Sequence, residues 1–143
     1  MKPFVDELHS LETDGIYISI NRGVENFKAV ISCITRDNLF LHSLLGFVES
    51  FSATHPCWHC ICDRSNFHTR LEELPDEVRT PLMYDKALTV NCVQQIGIKD
   101  YCVLNQLANF HAAENYVQDL MHDFLGGICC YDLCLICKKL TES

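Results

Sequence analysis

Residues 35–62 read TRDNLFLHSLLGFVESFSATHPCWHCIC and bring a carboxylate, an amphipathic stretch and a Cys-x2-Cys turn into immediate succession. Before Asp37, the apolar run Ala29-Val30-Ile31-Ser32-Cys33-Ile34 reads as a buried strand. After it, Leu39, Leu41, Leu44, Leu45, Phe47, Val48 and Phe51 recur at helical spacing. The pattern predicts a strand from Phe27 to Thr35 that turns directly into a helix over 39–51, packed through Leu41, Leu44, Leu45 and Val48. Asp37 at the junction has two readings. It is a helix N-cap whose carboxylate accepts backbone N–H bonds, or an acid at a strand end that holds a divalent metal.

Working outward toward the N-terminus, Phe4, Val5, Leu8 and Leu11 share one face of a short helix over 3–12, which Asp14-Gly15 ends. Ile16-Tyr17-Ile18-Ser19-Ile20 is β-prone, and Asn21-Arg22-Gly23 is turn chemistry, so the strand at 16–20 is expected to pair with the strand leading to Asp37. Toward the C-terminus, residues 64–100 carry the acidic cluster Glu72, Glu73, Asp76, Glu77 with weak periodicity, and read as an irregular stretch holding one short helix. Asn105 to Phe110 reads as a connector. A helix is expected from about Ala112 to Leu125, broken by Gly126-Gly127, followed by an apolar helix over 128–140.

The chain has 143 residues, 48% of them apolar and 21% charged, the composition of one folded domain with a core. A net charge of −8 argues against broad electrostatic attraction to nucleic acid by this chain alone. No uninterrupted apolar run approaches the roughly 18–20 residues of a membrane span, and MKPFVDELHSLETDG lacks the apolar centre of a signal peptide. The expectation is an intracellular protein with no membrane partner, whose ten cysteines are free, buried or metal-bound rather than disulfide-paired.

Cys57-Trp58-His59-Cys60 is the sharpest local signal, because Cys-x2-Cys in a tight turn presents two thiolates to one tetrahedral zinc. Such a site needs two further donors. Cys62, His59 and His68 are near in sequence, His111 and His122 distant. Buried inert thiols and a thioredoxin-type redox pair are the alternatives, the latter lacking a strand-to-helix turn to carry it. Cys134 and Cys137 share the spacing but sit in an apolar helix and read as packed thiols, as do Cys129 and Cys130. His122, between Asp119 and Asp123, reads either as a metal ligand oriented by a carboxylate or as a solvent-facing histidine. Glu49, Glu114 and Asp132 read as solvated helical acids.

Taken together, Asp37-Asn38-Leu39, the run Leu41 to Ala53, Cys57 to Cys60, Gly97 to Cys102, Asn109 to Asn115, Asp119 to Asp123 and Tyr131 to Leu133 resemble the catalytic domain of eukaryotic cut-and-paste DNA transposases of the CACTA-like kind. The resemblance runs over nearly the whole chain. It implies an α+β, RNase H-like fold in which Asp, Asp and Glu bind two Mg²⁺ ions for in-line attack on a phosphodiester. It places Asp37 as the second aspartate, at the end of the fourth strand, and Cys57, Cys60 and His122 as zinc ligands of the insertion before the glutamate. Residues 1–53 would then be partial RNase H-like strands and a helix, and 54–143 a mostly helical, cysteine- and histidine-containing insertion with a zinc-knuckle-type turn.

The departures from the family pattern carry weight. Arg36 and Phe40 flank Asp37-Asn38-Leu39 where the family has glycines, and Gly126 stands where it has an acid. Only one of three metal carboxylates is matched, so the resemblance implies a transposon-derived fragment inactive alone. It would meet DNA only in the context of the full-length ancestor, and would be nuclear if functional as a transposase. The incomplete sheet would leave an edge open to a protein partner or to self-association. The alternative function is a zinc-stabilised protein-interaction module, favoured by the acidic charge and the absence of a basic patch.

Overall fold

The computed structural model describes residues 2–21, 23–50, 52–67, 69–70, 72, 74–90 and 93–141. Helix α1 (Lys2–Thr13) forms as its periodicity predicts, with Val5 buried and Leu8 packed beside it against the core. Its C-terminal end is tied to a distant loop by Glu12. That carboxylate accepts hydrogen bonds from the backbone N–H groups of Ala108 (2.8 Å) and Asn109 (2.9 Å) and from Asn109 Nδ2 (2.8 Å). Strands β1 (Ile16–Ile20) and β2 (Gly23–Phe27) then make an antiparallel hairpin, in register from Ile16↔Phe27 to Ile20↔Gly23. All residues of both strands are exposed.

The long strand expected over 27–35 is not formed. β2 ends at Phe27, residues 28–33 are irregular, and only β3 (Ile34–Thr35) is extended and paired. Nor does β3 pair with the strand at 16–20; it lies parallel to β4 (Tyr116–Val117), with Ile34↔Tyr116 and Thr35↔Val117. The cause is competition for the backbone. Ala29 N–H goes to Leu11 O (3.4 Å), while Asn115 takes the other end of the segment, its Nδ2 donating to Ser32 O (2.8 Å) and its carbonyl accepting Ile34 N–H (2.9 Å). Ile31 and Ile34 keep the apolar role read for them, packing on the core from an irregular backbone.

Helix α2 (Asn38–Leu45) starts where expected and stops early. Gly46 adopts a left-handed conformation (φ 81°) and its carbonyl accepts Lys99 N–H (2.8 Å) and Asp100 N–H (3.1 Å). A Cβ at 46 would lie 2.0 Å from Asp100 O, so only glycine allows this approach. Leu41 and Leu45 are fully buried as predicted, whereas Phe47 leaves the helix to form a bridge with Ile98, and Val48 N–H bonds Gly97 O (3.0 Å). The predicted helix end at Phe51 lies outside the described residues.

The stretch read as irregular holds more helix than one short turn: α3 (Arg64–Phe67), a 3-10 turn at Pro75–Glu77, α4 (Pro81–Val90) and α5 (Val93–Ile96). Tyr84 on α4 is the anchor. Its hydroxyl donates to Leu45 O (2.8 Å) and accepts Cys102 N–H (3.1 Å), joining α2, α4 and the chain beyond Gly97 at one buried oxygen. A further 3-10 turn covers Val103–Gln106.

The helix expected over 112–125 is also replaced. Asn115 Oδ1 accepts His111 N–H (2.7 Å), His111 Nδ1 accepts Ala113 N–H (3.1 Å) and Asn105 Oδ1 accepts Ala112 N–H (2.8 Å), so side chains satisfy backbone donors that a helix would have used. β4 follows, then a π-helical stretch over Leu120–Ile128 that runs without a break into α6 (Cys129–Thr141). Gly126-Gly127 does not end the helix. It permits the wide turn, since a Cβ at 127 would sit 3.0 Å from His122 O.

The stretches expected as two separate helices, 112–125 and 128–140, contribute to a single helix over Leu120–Thr141. It is one continuous helix of 22 residues, long and apolar enough by length and composition to cross a membrane, and its most apolar 18 residues, of mean hydropathy 1.5, have no share buried. A search for an uninterrupted apolar run misses it because Asp123 and Asp132 interrupt the run; at mid-membrane an aspartate costs about 2.5–3.5 kcal/mol.

At the coarse level the protein is α+β, with two separate two-stranded sheets among the described residues in place of the single sheet expected. One core gathers Val5, Leu41, Leu45 and Phe47 with Trp58, Tyr84, Ile98, Leu104 and Phe110, so it draws on both sides of the expected division at 53/54.

Candidate functional site

β3 and β4 run parallel, and an aspartate stands two residues beyond each: Asp37 after Thr35 and Asp119 after Val117, which are themselves register partners. Each opens a helix. Asp37 Oδ1 accepts Phe40 N–H (3.0 Å) at the start of α2, while Asp119 Oδ1 accepts Met121 N–H and His122 N–H (both 3.1 Å) at the start of the π-helical stretch. The N-cap reading of Asp37 therefore describes what its carboxylate does. Asn38 Nδ2 donates to Asp123 Oδ1 (2.5 Å), which binds the two helix starts to each other.

Electrostatics at this corner are dominated by acid. His122 Nδ1 pairs with Asp119 Oδ2, and that bond, with the charges of Asp119, Asp37 and Asp123, raises the imidazole above its usual range. Burial pushes Asp119 up, but the hydrogen bonds from His122 and the backbone outweigh it and hold the carboxyl below its usual range. Arg36 Nε lies 3.9 Å from Asp37 Oδ2, with its guanidinium 5.3 Å above the Phe40 ring, so Arg36 and Phe40 pack together beside the carboxylate.

Among the described residues, no three His, Cys, Asp or Glu side chains converge as a metal set. Asp37 and Asp119 each use one oxygen as a helix cap, and Asp119 uses its other on His122. Two Mg²⁺ ions held about 3.5–4 Å apart require several carboxylates with oxygens turned toward one point. This arrangement does not supply them.

The Cys57–Cys60 turn is formed locally, with Cys60 N–H donating to Cys57 Sγ (3.4 Å) and Cys60 bridged to Val78. The other donors considered for zinc each have a contact of their own. His59 Nδ1 meets Tyr116 Oη (2.8 Å), His111 Nδ1 accepts Ala113 N–H, His122 is tied to Asp119, and the buried Cys62 Sγ lies 3.5 Å from Asp63 O. His68 lies outside the described residues. His122 pairs with Asp119 and feels the charges of Asp37 and Asp123. Cys129 is half-buried and Cys130, Cys134 and Cys137 are exposed, so the thiols read as packed on α6 are not buried.

Two features escaped the sequence reading. The equal two-residue offset of Asp37 and Asp119 past short β-prone pairs was the available signal for the first, hidden because Tyr116-Val117 lay inside a predicted helix. The second is Arg79, a guanidinium 5% exposed beneath the cysteine turn, which no periodicity marks. No family model, curated protein or solved structure matches the chain.

Proposed function

We propose that the chain is a transposon-derived fragment of a cut-and-paste DNA transposase catalytic domain, RNase H-like in ancestry and catalytically incomplete by itself. The observation that carries it is the parallel β3–β4 pair with an aspartate two residues past each strand. Acids at the carboxyl ends of adjacent parallel strands are where an open sheet places groups that act on a ligand. The exposed hairpin and the exposed helix Leu120–Thr141 support the same reading, as faces that further strands of a larger sheet would cover. In the intact ancestor Mg²⁺ would supply Lewis-acid stabilisation of the phosphodiester oxygens. In this chain Asp37 and Asp119 hold helix starts, and their acidic corner with a net charge of −8 repels a DNA backbone. DNA contact and nuclear residence belong to the full-length ancestor.

The genomic DNA on both sides of the coding region tests the origin. Coding remnants for a strand bearing an aspartate and for a helix bearing a glutamate are expected there, and flanks with neither would overturn it. For the activity, supercoiled DNA incubated with the purified chain and Mg²⁺ or Mn²⁺ should stay uncut. Metal-dependent nicking that Asp37→Ala or Asp119→Ala abolishes would show that a working site assembles after all.

A protein-interaction module is the second reading, favoured by the apolar surface of β1, β2 and the terminal helix. Light scattering separates them in part: a stable, saturable dimer favours the module, non-saturable aggregation the fragment.

A further inference from the structure

We infer that the Cys57–Cys60 turn is a metal-free knuckle closed from inside by the Arg79 guanidinium, which stands where a zinc-stabilised turn would rely on its ion. Three contacts place Arg79 there, and a fourth pins the turn itself. Its backbone N–H donates to His59 O (2.8 Å), its Nε donates to Cys57 O (3.1 Å), its guanidinium lies 5.4 Å from the Phe47 ring centroid, and the turn it grips is also pinned by Ile61 N–H on Glu77 O (2.9 Å). Room is made by Gly97, whose added Cβ would lie 3.1 Å from Arg79 Nη2 and 2.3 Å from His55 O.

A guanidinium this deeply buried needs compensation, because desolvating a cation costs several kcal/mol. Among the described residues it has no paired carboxylate; the compensation comes from the Cys57 carbonyl and the Phe47 face, and burial still lowers the guanidinium below its ordinary value. Nη2 is buried without a hydrogen-bond partner. Among the described residues no third His, Cys, Asp or Glu side chain converges with Cys57 and Cys60, so a zinc ion there would lack the two further donors of a tetrahedral site.

The test uses the whole chain expressed with zinc in the medium, with metal content measured by plasma mass spectrometry and melting followed with and without a strong chelator. Well under one zinc per chain and a chelator-independent melting temperature are expected. Cys57→Ser/Cys60→Ser should lower the melting temperature less than Arg79→Gln, and Arg79→Lys should fall between wild type and Arg79→Gln, since it keeps the charge and loses the fork. One tightly held zinc that the cysteine variant releases with loss of fold would overturn the inference, as would Arg79→Gln melting no lower than the cysteine variant. Should Arg79→Gln fail to fold, the zinc content of the wild type and the melting of the cysteine variant decide by themselves.

Discussion

His122 has two readings in the sequence, and its partner Asp119 shows what the pair does in the fold. Flanking charge in Asp119-Leu120-Met121-His122-Asp123 suggested a carboxylate orienting a metal-bound imidazole; the carboxylate caps the helix with one oxygen and pairs with His122 through the other, which raises the imidazole. His122 should titrate above its ordinary 6.5 in a proton NMR pH series, and Asp119→Asn should return it toward that value. The sign of its effect on stability follows. A raised imidazole contributes fully below pH 6.5 and loses its contribution as pH rises through the folded value, whereas Asp119, lowered from 3.8, contributes above that value and loses it as pH falls. The pair therefore stabilises most between those limits, and Glu12, lowered from 4.5 chiefly by the Asn109 side chain, adds to the loss on the acid side. A wild-type melting temperature unchanged between pH 3 and pH 5 would contradict this. Asp37 is the simpler case: as an N-cap, its replacement by Ala should cost about 1 kcal/mol in urea unfolding and replacement by Asn much less.

At the scale of elements, the ends of helices decide more than their middles. α2 has the apolar spacing to continue, and its end is set by Gly46, where the left-handed turn lets Asp100 O approach. Gly46→Ala should destabilise by about 2–4 kcal/mol, combining backbone strain with a collision against main chain that cannot move aside. A loss under about 1 kcal/mol would show that the segment 97–102 shifts easily. The same logic explains the π-helical stretch, where glycines expected to stop a helix leave space for the wider turn. Terminal α6 presents its apolar residues outward along its whole length.

For the whole molecule, the core is closed by contacts far apart in sequence, and the periphery contributes little to it. Removing residues 129–143 should change the melting temperature by less than about 3 °C, while binding of a hydrophobic dye falls with the exposed surface lost; a larger drop in stability would mean that α6 docks on the body. The sequence by itself determined α1, strand β1 and the start of α2, because each rests on apolar periodicity or β-propensity within a few residues. Only the tertiary structure decided that Ile34–Thr35 pairs with Tyr116–Val117, that Asp37 and Asp119 stand at the same end of that pair, and that Arg79 lies under the cysteine turn. A two-residue strand carries no register of its own, and its partner is chosen by which distant backbone groups remain unpaired once Asn115 and the core side chains have taken their places. A buried guanidinium is likewise invisible in a list of charges, since its burial depends on Gly97 and Phe47 arriving from elsewhere in the chain.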